Sequence, residues 1–342
     1  MSPRVRVVVP TYNRASLLER ALESVSAQTY RDFEVVVADD GSDDETQQVV
    51  GAFEGRGFPI RCLRLSHGGV SRARNAAIAA TGRPEFVAFL DSDDVWLTGH
   101  LAASIAALDD CRHAVLSFGP MKTIDYTGRW TPERFAEREE RTRRPLEQSA
   151  ARWGDLHLLD WNNTRRAVLR GEFHPHPSTV VVRANTLPTP PFAPDLHMLE
   201  DVQLFIRLLD VGTFVFLDEL QGVVEYRGDN LSGMTDLTSP RTLRQQRCAA
   251  AFARWKLARC AFAYDRRVVR VELAGYSYLV GQCCTEQGDA AAARRAYVES
   301  LRAAPSTRAL RGIVACSAPA GLVQVLRRMF GRAGHPRRRA AL

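Results

Sequence analysis

Three carboxylates follow directly on five apolar residues in the stretch Phe86-Val-Ala-Phe-Leu-Asp-Ser-Asp-Asp-Val-Trp96. Phe86 to Leu90 reads as a buried strand, and a run that apolar suits a parallel strand covered on both faces. Asp91, Asp93 and Asp94 then lie just beyond its carboxyl end, where open α/β sheets bind ligands. Alternate carboxylates in that place can share a hard divalent cation whose remaining positions go to water and phosphate oxygens. A calcium loop fits poorly, because it needs further oxygen ligands and a glycine where this chain runs into Val95-Trp96. Asp-rich turns also occur without any metal, so the neighbouring segments decide.

Strands, loops and helices must hold these acids in place. Val5 to Val9 reads as a Val-rich strand that stops at Pro10, which cannot donate to a central ladder. Asn13 is placed to cap the next helix, whose apolar positions Leu18, Leu22 and Val25 share a face. Phe33 to Ala38 is a second strand, ending in Asp39-Asp40-Gly41-Ser42-Asp43-Asp44-Glu45. Ser42 and Glu45 have the spacing of a capping box for the following helix. That leaves Asp39 and Asp40 at the sheet edge that also carries Asp91. Ile60 to Leu65 is a third strand. His67-Gly68-Gly69-Val70-Ser71-Arg72-Ala73-Arg74-Asn75 then opens a small-residue helix whose two arginines can meet phosphates or face solvent. Strand, loop and helix repeated and closed by Phe86 to Leu90 predict an α/β fold with a mostly parallel sheet.

Beyond this core, Ala114 to Phe118 and Met121 to Tyr126 read as strands. Residues 129–172, rich in Arg and Glu, are expected to form a helical insertion beside the cleft. Pro175-His176-Pro177-Ser178-Thr179 precedes a strand at Val180 to Val182, and its histidine reads as structural. A helix follows with Leu204, Leu208 and Val211 on its buried face. Glu200 and Asp201 fall in its first turn, where the helix dipole favours acids and is expected to keep them ionised. Val223 to Arg227 reads as one more strand. The first domain is expected over residues 1–239, and the pattern from 240 to 342 is helical.

The chain has 342 residues, 45% of them hydrophobic and 25% charged, as in a globular protein of two domains. No run approaches the length of a membrane span, and the amino-terminal residues run straight into a strand, leaving no room for a signal peptide. Seven cysteines without a Cys-x-x-Cys pair read as buried thiols in a reducing, cytoplasmic setting. The net charge of +7 is misleading, because eight arginines and no acid fall between Arg308 and Leu342. The body is therefore close to neutral, which argues against nucleic acid as a partner. Within that tail, Leu322, Val323, Val325, Leu326, Met329 and Phe330 lie among Arg327, Arg328 and Arg332. This reads as a basic amphipathic helix for an anionic membrane or a partner.

Val9-Pro10-Thr11-Tyr12-Asn13-Arg14, Asp39-Asp40-Gly41-Ser42, Ser71-x-Ala73-Arg74-Asn75 and Leu90-Asp91-Ser92-Asp93-Asp94 together resemble the ordered motifs of family 2 glycosyltransferases. Glu200-Asp201 is similar to that family's Glu-Asp motif, and Val223 to Arg227 with Asn230-Leu231-Ser232 to a looser element that closes over the donor. The resemblance implies an inverting enzyme of GT-A fold that uses a nucleotide-sugar donor, UDP or dTDP. It implies a glycan, lipid-linked or small-molecule acceptor and a Mg²⁺ or Mn²⁺ ion. By the same resemblance, Asp40 reads the base, while Pro10, Thr11, Tyr12, Arg14 and Asp39 frame the donor pocket. Asp91 and Ser92 serve the ribose, Asp93 with Asp91 holds the metal, and Arg74 and Arg227 assist the diphosphate. Asp201 is the general base, with Glu200 beside it. In the second domain, Gly281, Gly288, Ala293, Tyr297 and Pro305 resemble positions of one tetratricopeptide hairpin.

Two other classes fit these residues less well. A sugar nucleotidyltransferase carries a Gly-rich phosphate loop with Arg and Lys near its amino terminus, and Pro10-Thr11-Tyr12-Asn13 is not one. A non-catalytic binding module has no use for Asp93 and Asp201 together.

Overall fold

The computed structural model describes residues 3–196, 198–227 and 236–317. Asn230 to Ser232 and the basic tail from Gly321 lie outside the described residues. The chain divides into two compact units, Met1–Val168 with Glu172–Asn230, and Leu169–Gly171 with Leu231–Leu342.

The first unit opens with β1 (Val5–Thr11), α1 (Ala15–Ser26), β2 (Phe33–Asp39), α2 (Thr46–Glu54), β3 (Ile60–Arg64), α3 (Val70–Ile78) and β4 (Phe86–Phe89). β5 (Asp94–Trp96), α4 (His100–Asp110), β6 (Ala114–Phe118), β7 (Met121–Asp125), α5 (Pro132–Arg143), β8 (Ser149–Trp153), β9 (Leu156–Leu159) and α6 (Trp161–Arg170) follow. β10 (Val181–Arg183), α7 (Glu200–Leu208), β11 (Thr213–Leu217) and β12 (Gly222–Tyr226) complete it. A nine-stranded sheet runs β3-β2-β1-β4-β10-β6-β11-β9-β8, and a second sheet pairs β5-β12-β7. The strands β3-β2-β1-β4 are parallel, while β10 runs antiparallel to both neighbours and β9 antiparallel to β11. Chain order reverses between β1 and β4, so the crevice beyond their carboxyl ends is the topological switch point. Val5, Val7, Val9, Val35, Val37, Phe86 and Ala88 lie in one continuous core with Leu18, Leu22 and Val25 of α1.

Several local expectations yield to tertiary partners. β1 continues through Pro10 to Thr11 rather than stopping at the proline. Val8 accepts from Leu90 on the β4 side and Thr11 accepts from Asp40 on the β2 side. By alternation, the donor that Pro10 lacks falls on the β4 side, past the last β4 partner, so no ladder bond is lost. Asn13 does not cap α1. It sits at φ 52° and accepts from the Asp43 N–H, while the Ala15 N–H donates to Asp44 of the next loop. Ser42 and Glu45 form no capping box either. Asp44 accepts from the Thr46 N–H and hydroxyl, and the Ser42 hydroxyl accepts from the Asn13 N–H. One aspartate thus serves the starts of two helices. Val211 lies beyond the end of α7 and is exposed.

The insertion expected as helical is only partly so. Between α5 and α6 stands the β8–β9 hairpin, which extends the sheet beyond β11. α5 buries no residue and attaches through its first turn, where Arg134 stacks 4.1 Å from the Trp130 ring centroid and Trp130 lies 5.6 Å from Tyr226.

The second unit holds α8 (Pro240–Leu257), α9 (Ala263–Glu286), α10 (Ala290–Ala303) and α11 (Thr307–Ser317). Ser239 caps α8, and Asp289 caps α10 by accepting from the Ala292 N–H. Gly288, at φ 81°, makes the turn between α9 and α10. The Tyr297 ring fills the space left by Gly281 of α9 and Gly312 of α11. All seven cysteines are free thiols, four of them buried. Among the described residues, no helix is long and apolar enough to cross a membrane.

Two glycines of α9 carry opposite expectations. A Cβ on Gly281 would stand 2.5 Å from the buried Tyr297 ring, whereas one on Gly275 meets nothing within 4 Å. Gly275→Ala is therefore expected to raise stability by about 0.5–1 kcal/mol, the helix-propensity gain. Gly281→Ala is expected to lower it by about 1–3 kcal/mol through overpacking. Urea unfolding of the two single variants, read at unchanged m-value, checks both signs.

Candidate active site

The carboxyl ends of β1, β2 and β4 carry the predicted acids to one edge of the sheet, though their electrostatic situations differ. Asp39 is fully buried and used up locally, accepting from the Ser42 N–H at 2.8 Å and from Gln47 Nε2 at 2.7 Å. Asp40 accepts the Gly68 and Gly69 N–H groups, each at 2.8 Å, one on each carboxylate oxygen. The loop between β3 and α3 can come that close because Gly69 takes φ 91°. His67 approaches the Asp40 carboxylate at 2.9 Å and stacks on Tyr12 with centroids 4.3 Å apart. Pro10 and Thr11 are buried beneath this edge, with Tyr12 half-exposed above them.

Asp91, Asp93 and Asp94 form the second group. The Ser178 hydroxyl accepts from the Asp91 N–H at 3.0 Å and donates to Asp94 Oδ2 at 2.5 Å. The Ser178 carbonyl takes the Trp96 indole N–H, so the turn through Pro177 holds the acidic loop from behind. Ser92 is buried within the loop. Arg14 reaches Asp93 Oδ2 at 2.6 Å. Burial and the Asp91 charge push the Asp93 carboxyl up. Asp94, buried and facing both other acids, is pushed well above the usual carboxylate range. Asp91 is partly buried, yet the charge and hydrogen bond of Arg74 outweigh that and hold it below. His176 itself is pulled down by burial and by the Arg138 charge, which keeps the imidazole neutral.

Arg74 joins this group to the fifth motif. Its guanidinium, 3% exposed, donates to Asp91 Oδ1 at 2.6 Å and to Glu200 Oε1 at 2.7 Å, and lies 5.1 Å from the Phe192 ring centroid. Next to it, the Asn75 amide exchanges two hydrogen bonds with the backbone of Phe192. Leu199 enters α7 from the left-handed region at φ 63°, a strained conformation for leucine that turns Glu200 toward Arg74. Glu200 is thereby engaged. Among the described residues, Asp201 accepts one hydrogen bond, from the Val202 N–H. The helix dipole is not the largest influence on Asp201. Burial raises its pKa, with Arg74 acting against the rise, and Glu200 is raised by burial and by Asp201.

Arg227 turns onto Glu225 Oε2 at 2.7 Å, and Arg20 of α1 grips the same carboxylate. Glu225 is thus a buried hub between α1 and β12. Neither Arg74 nor Arg227 presents an unengaged guanidinium to the cleft. Motif spacing missed Ser178, His67, Glu225 and Arg138. Only Ser178 left a trace in the chain, a hydroxyl between a proline and a strand.

With this geometry in hand, the comparisons with known proteins fall into place. Residues 6–170 match the family model described as glycosyl transferase family 2. The succinoglycan biosynthesis protein ExoW of Rhizobium meliloti is 29% identical over 256 residues, 71% of this chain and 75% of that protein. The GalNAc(5)-diNAcBac-PP-undecaprenol beta-1,3-glucosyltransferase of Campylobacter jejuni is 38% identical over 103 residues, 29% of this chain and 33% of that protein. Among solved structures, residues 1–349 of S. aureus TarS in complex with UDP-GlcNAc superpose with a TM-score of 0.60 at 19% identity, covering 95% of this chain and 92% of that one. That likeness extends over both units and identifies a GT-A fold.

The Glu225 hub has a pH signature. Its hydrogen bonds to Arg20 and then Arg227 lower its pKa from 4.5 to about 2. A depressed carboxylate contributes stability that is fully present above its unfolded pKa and is lost as pH falls toward its folded one. Both arginines are partly exposed and can retreat to water, so Glu225→Gln is expected to cost about 1–2 kcal/mol at pH 7. The gap to the parent protein should narrow as pH falls below 4.5. Thermal unfolding of both proteins from pH 7 to pH 4 and below measures it.

Proposed function

The amino-terminal domain belongs to glycosyltransferase family 2, and from that premise we propose an inverting transfer of a sugar from a UDP- or dTDP-sugar to a hydroxyl of a lipid-linked glycan acceptor. The observation that carries the reading is the Arg74 bridge, which ties Asp91 at the donor edge to Glu200 beside Asp201. Donor-binding and base-bearing elements are thereby held as one site.

Each part of the reaction has a residue suited to it. Asp40 Oδ1, which accepts from the Gly68 N–H, keeps a lone pair for the N3–H of a uracil or thymine, while Oδ2 faces both the Gly69 N–H and His67. The exposed Tyr12 ring, backed by His67, offers a stacking face for the base. Asp91 and Ser92 stand where ribose hydroxyls would come. Asp201 takes the proton of the acceptor hydroxyl as it attacks the anomeric carbon, and the nucleoside diphosphate leaves from the opposite face. Glu200 orients the helix terminus through Arg74 and, being engaged, is the weaker candidate for the base. The name of the C. jejuni relative, a glucosyltransferase on an undecaprenol-linked diphosphate glycan, supports a lipid-linked acceptor.

The donor set fits a divalent cation that arrives with its substrate. Among the described residues, no group of three or more His, Cys, Asp or Glu converges as a cage. Mg²⁺ in particular is held by one or two carboxylates together with substrate phosphates and water. Asp93, with Asp91 beside it, would hold Mg²⁺ or Mn²⁺, and the bound ion would act as a Lewis acid on the departing diphosphate.

Asp201→Asn preserves shape but cannot take a proton, so kcat should fall by roughly 10²–10⁴ with donor affinity nearly unchanged. Glu200→Gln should cost less. The acidic limb of the kcat profile should lie above the ordinary aspartate range, following the raised Asp201, and vanish in Asp201→Asn. Rates against a panel of UDP-, dTDP- and GDP-sugars, with donor binding measured by calorimetry, decide the matter. A larger loss in Glu200→Gln would move the base. In the same assay, Asp93→Asn should abolish transfer with the fold intact, and chelation with EDTA should suppress the parent enzyme. Full activity after exhaustive chelation would remove the metal from the scheme.

A further inference from the structure

The arginine face of α5 is the feature that the donor site does not use. Arg134 and Arg138, one helical turn apart, stack on the same indole, 4.1 Å and 5.9 Å from the Trp130 ring centroid. Two like charges on one ring repel, and no carboxylate among the described residues forms an ion pair with either. Two buried donors there also lack partners, the Arg138 Nε and the Trp130 Nε1. A buried donor without an acceptor costs about 1–3 kcal/mol. Two together on a cationic surface mark a place built for an anion.

We propose that Trp130 Nε1, Arg138 and Arg134 form an anion subsite that takes a phosphoryl group of the acceptor, making this transferase selective for a phosphate-bearing acceptor. A phosphoryl group suits the place, because several acceptor oxygens and a charge near −2 match two guanidinium forks and an indole N–H. Its charged neighbours distinguish this subsite from the cations of the donor edge. The cations at the donor edge are Arg14 and Arg74, already on Asp93 and Asp91. Arg138 instead faces Asp94 and His176, on the flank carried by the Pro177 turn. Burial lowers the Arg138 pKa, as expected of a cation waiting for its counter-ion. The inference deepens the transferase reading and rests on it for the identity of the acceptor, though not for the binding itself.

Glucose 1-phosphate serves as the probe, titrated calorimetrically into the full chain with and without saturating UDP, alongside UDP alone. The parent protein is expected to bind glucose 1-phosphate with UDP already in place. Arg138→Gln should weaken that binding roughly tenfold or more while leaving UDP affinity within about twofold, and Arg138→Lys should fall between. Trp130→Phe keeps an aromatic face beneath the arginines but removes the N–H together with the five-membered ring, so a loss of several-fold is expected there as well. Equal binding in parent and Arg138→Gln, or no binding to the parent at millimolar probe, overturns the proposal. A loss of UDP affinity in Arg138→Gln assigns the arginine to the donor and overturns it too. Binding of glucose 1-phosphate to a parent protein that binds no nucleotide diphosphate would keep the subsite and remove the transferase reading.

Discussion

One buried guanidinium holds the site together. Arg74 lies between the end of β4 and the start of α7, and two of its N–H groups are committed to carboxylates from those two places. Burying a cation is unfavourable unless it is paired, and so is burying Glu200. Arg74 and Glu200 are buried together, with the partly exposed Asp91 as the second partner. The bridge also has a geometric consequence. The proposed inverting displacement would need its base and its leaving group on opposite faces of one sugar, closely positioned. A planar two-pronged donor sets such a distance better than a lysine, which offers a single flexible point charge. Asn75 on the same helix turn locks the Phe192 backbone, so α3 fastens the segment leading to α7 at two adjacent residues.

The acids of this site are of two kinds. Asp39 and Asp40 are neutralised by N–H groups of the protein itself, so the fold alone satisfies them. Asp93 pairs with the partly exposed Arg14 and Asp94 accepts from the Ser178 hydroxyl, yet burial and repulsion from Asp91 still make their ionised forms costly. A structure selected for stability alone would not collect three carboxylates at one strand end. Their surplus charge is what an incoming cation would relieve. The apparent defect lies where the proposed donor site is drawn, at the switch point where the sheet topology opens a crevice.

The donor half was legible because its logic is local. Val5 to Val9, Phe33 to Ala38 and Phe86 to Leu90 are apolar runs with no alternation, and each ends in the residues that carry chemistry. Period, length and terminal acids lie within a few positions of one another in the chain. What stayed hidden involves partners far apart in sequence. Asp44 serves α1 across a loop, and the strand β5 exists because β12, more than a hundred residues later, pairs with it. Pro10 could extend β1 only because β4 ends early, a fact about a neighbour and not about proline. The rise in the Asp201 pKa was hidden in the same way, since it comes from burial and not from the helix to which the residue belongs.

This division bears on how one scaffold can serve many acceptors. The parallel strands β3-β2-β1-β4 close on one another with short connections and share one core, so the donor edge is largely self-supporting. The insertion is attached differently. α5 buries nothing and rests on Trp130, Tyr226 and two arginines, and the β8–β9 hairpin joins the sheet at the edge farthest from β3. Substitutions in α5 remove few packing contacts and cost little stability, yet they alter which side chains face Asp94 and His176. Under the proposed acceptor role, α5 is thus free to vary while Arg74 and its two carboxylates remain as they are.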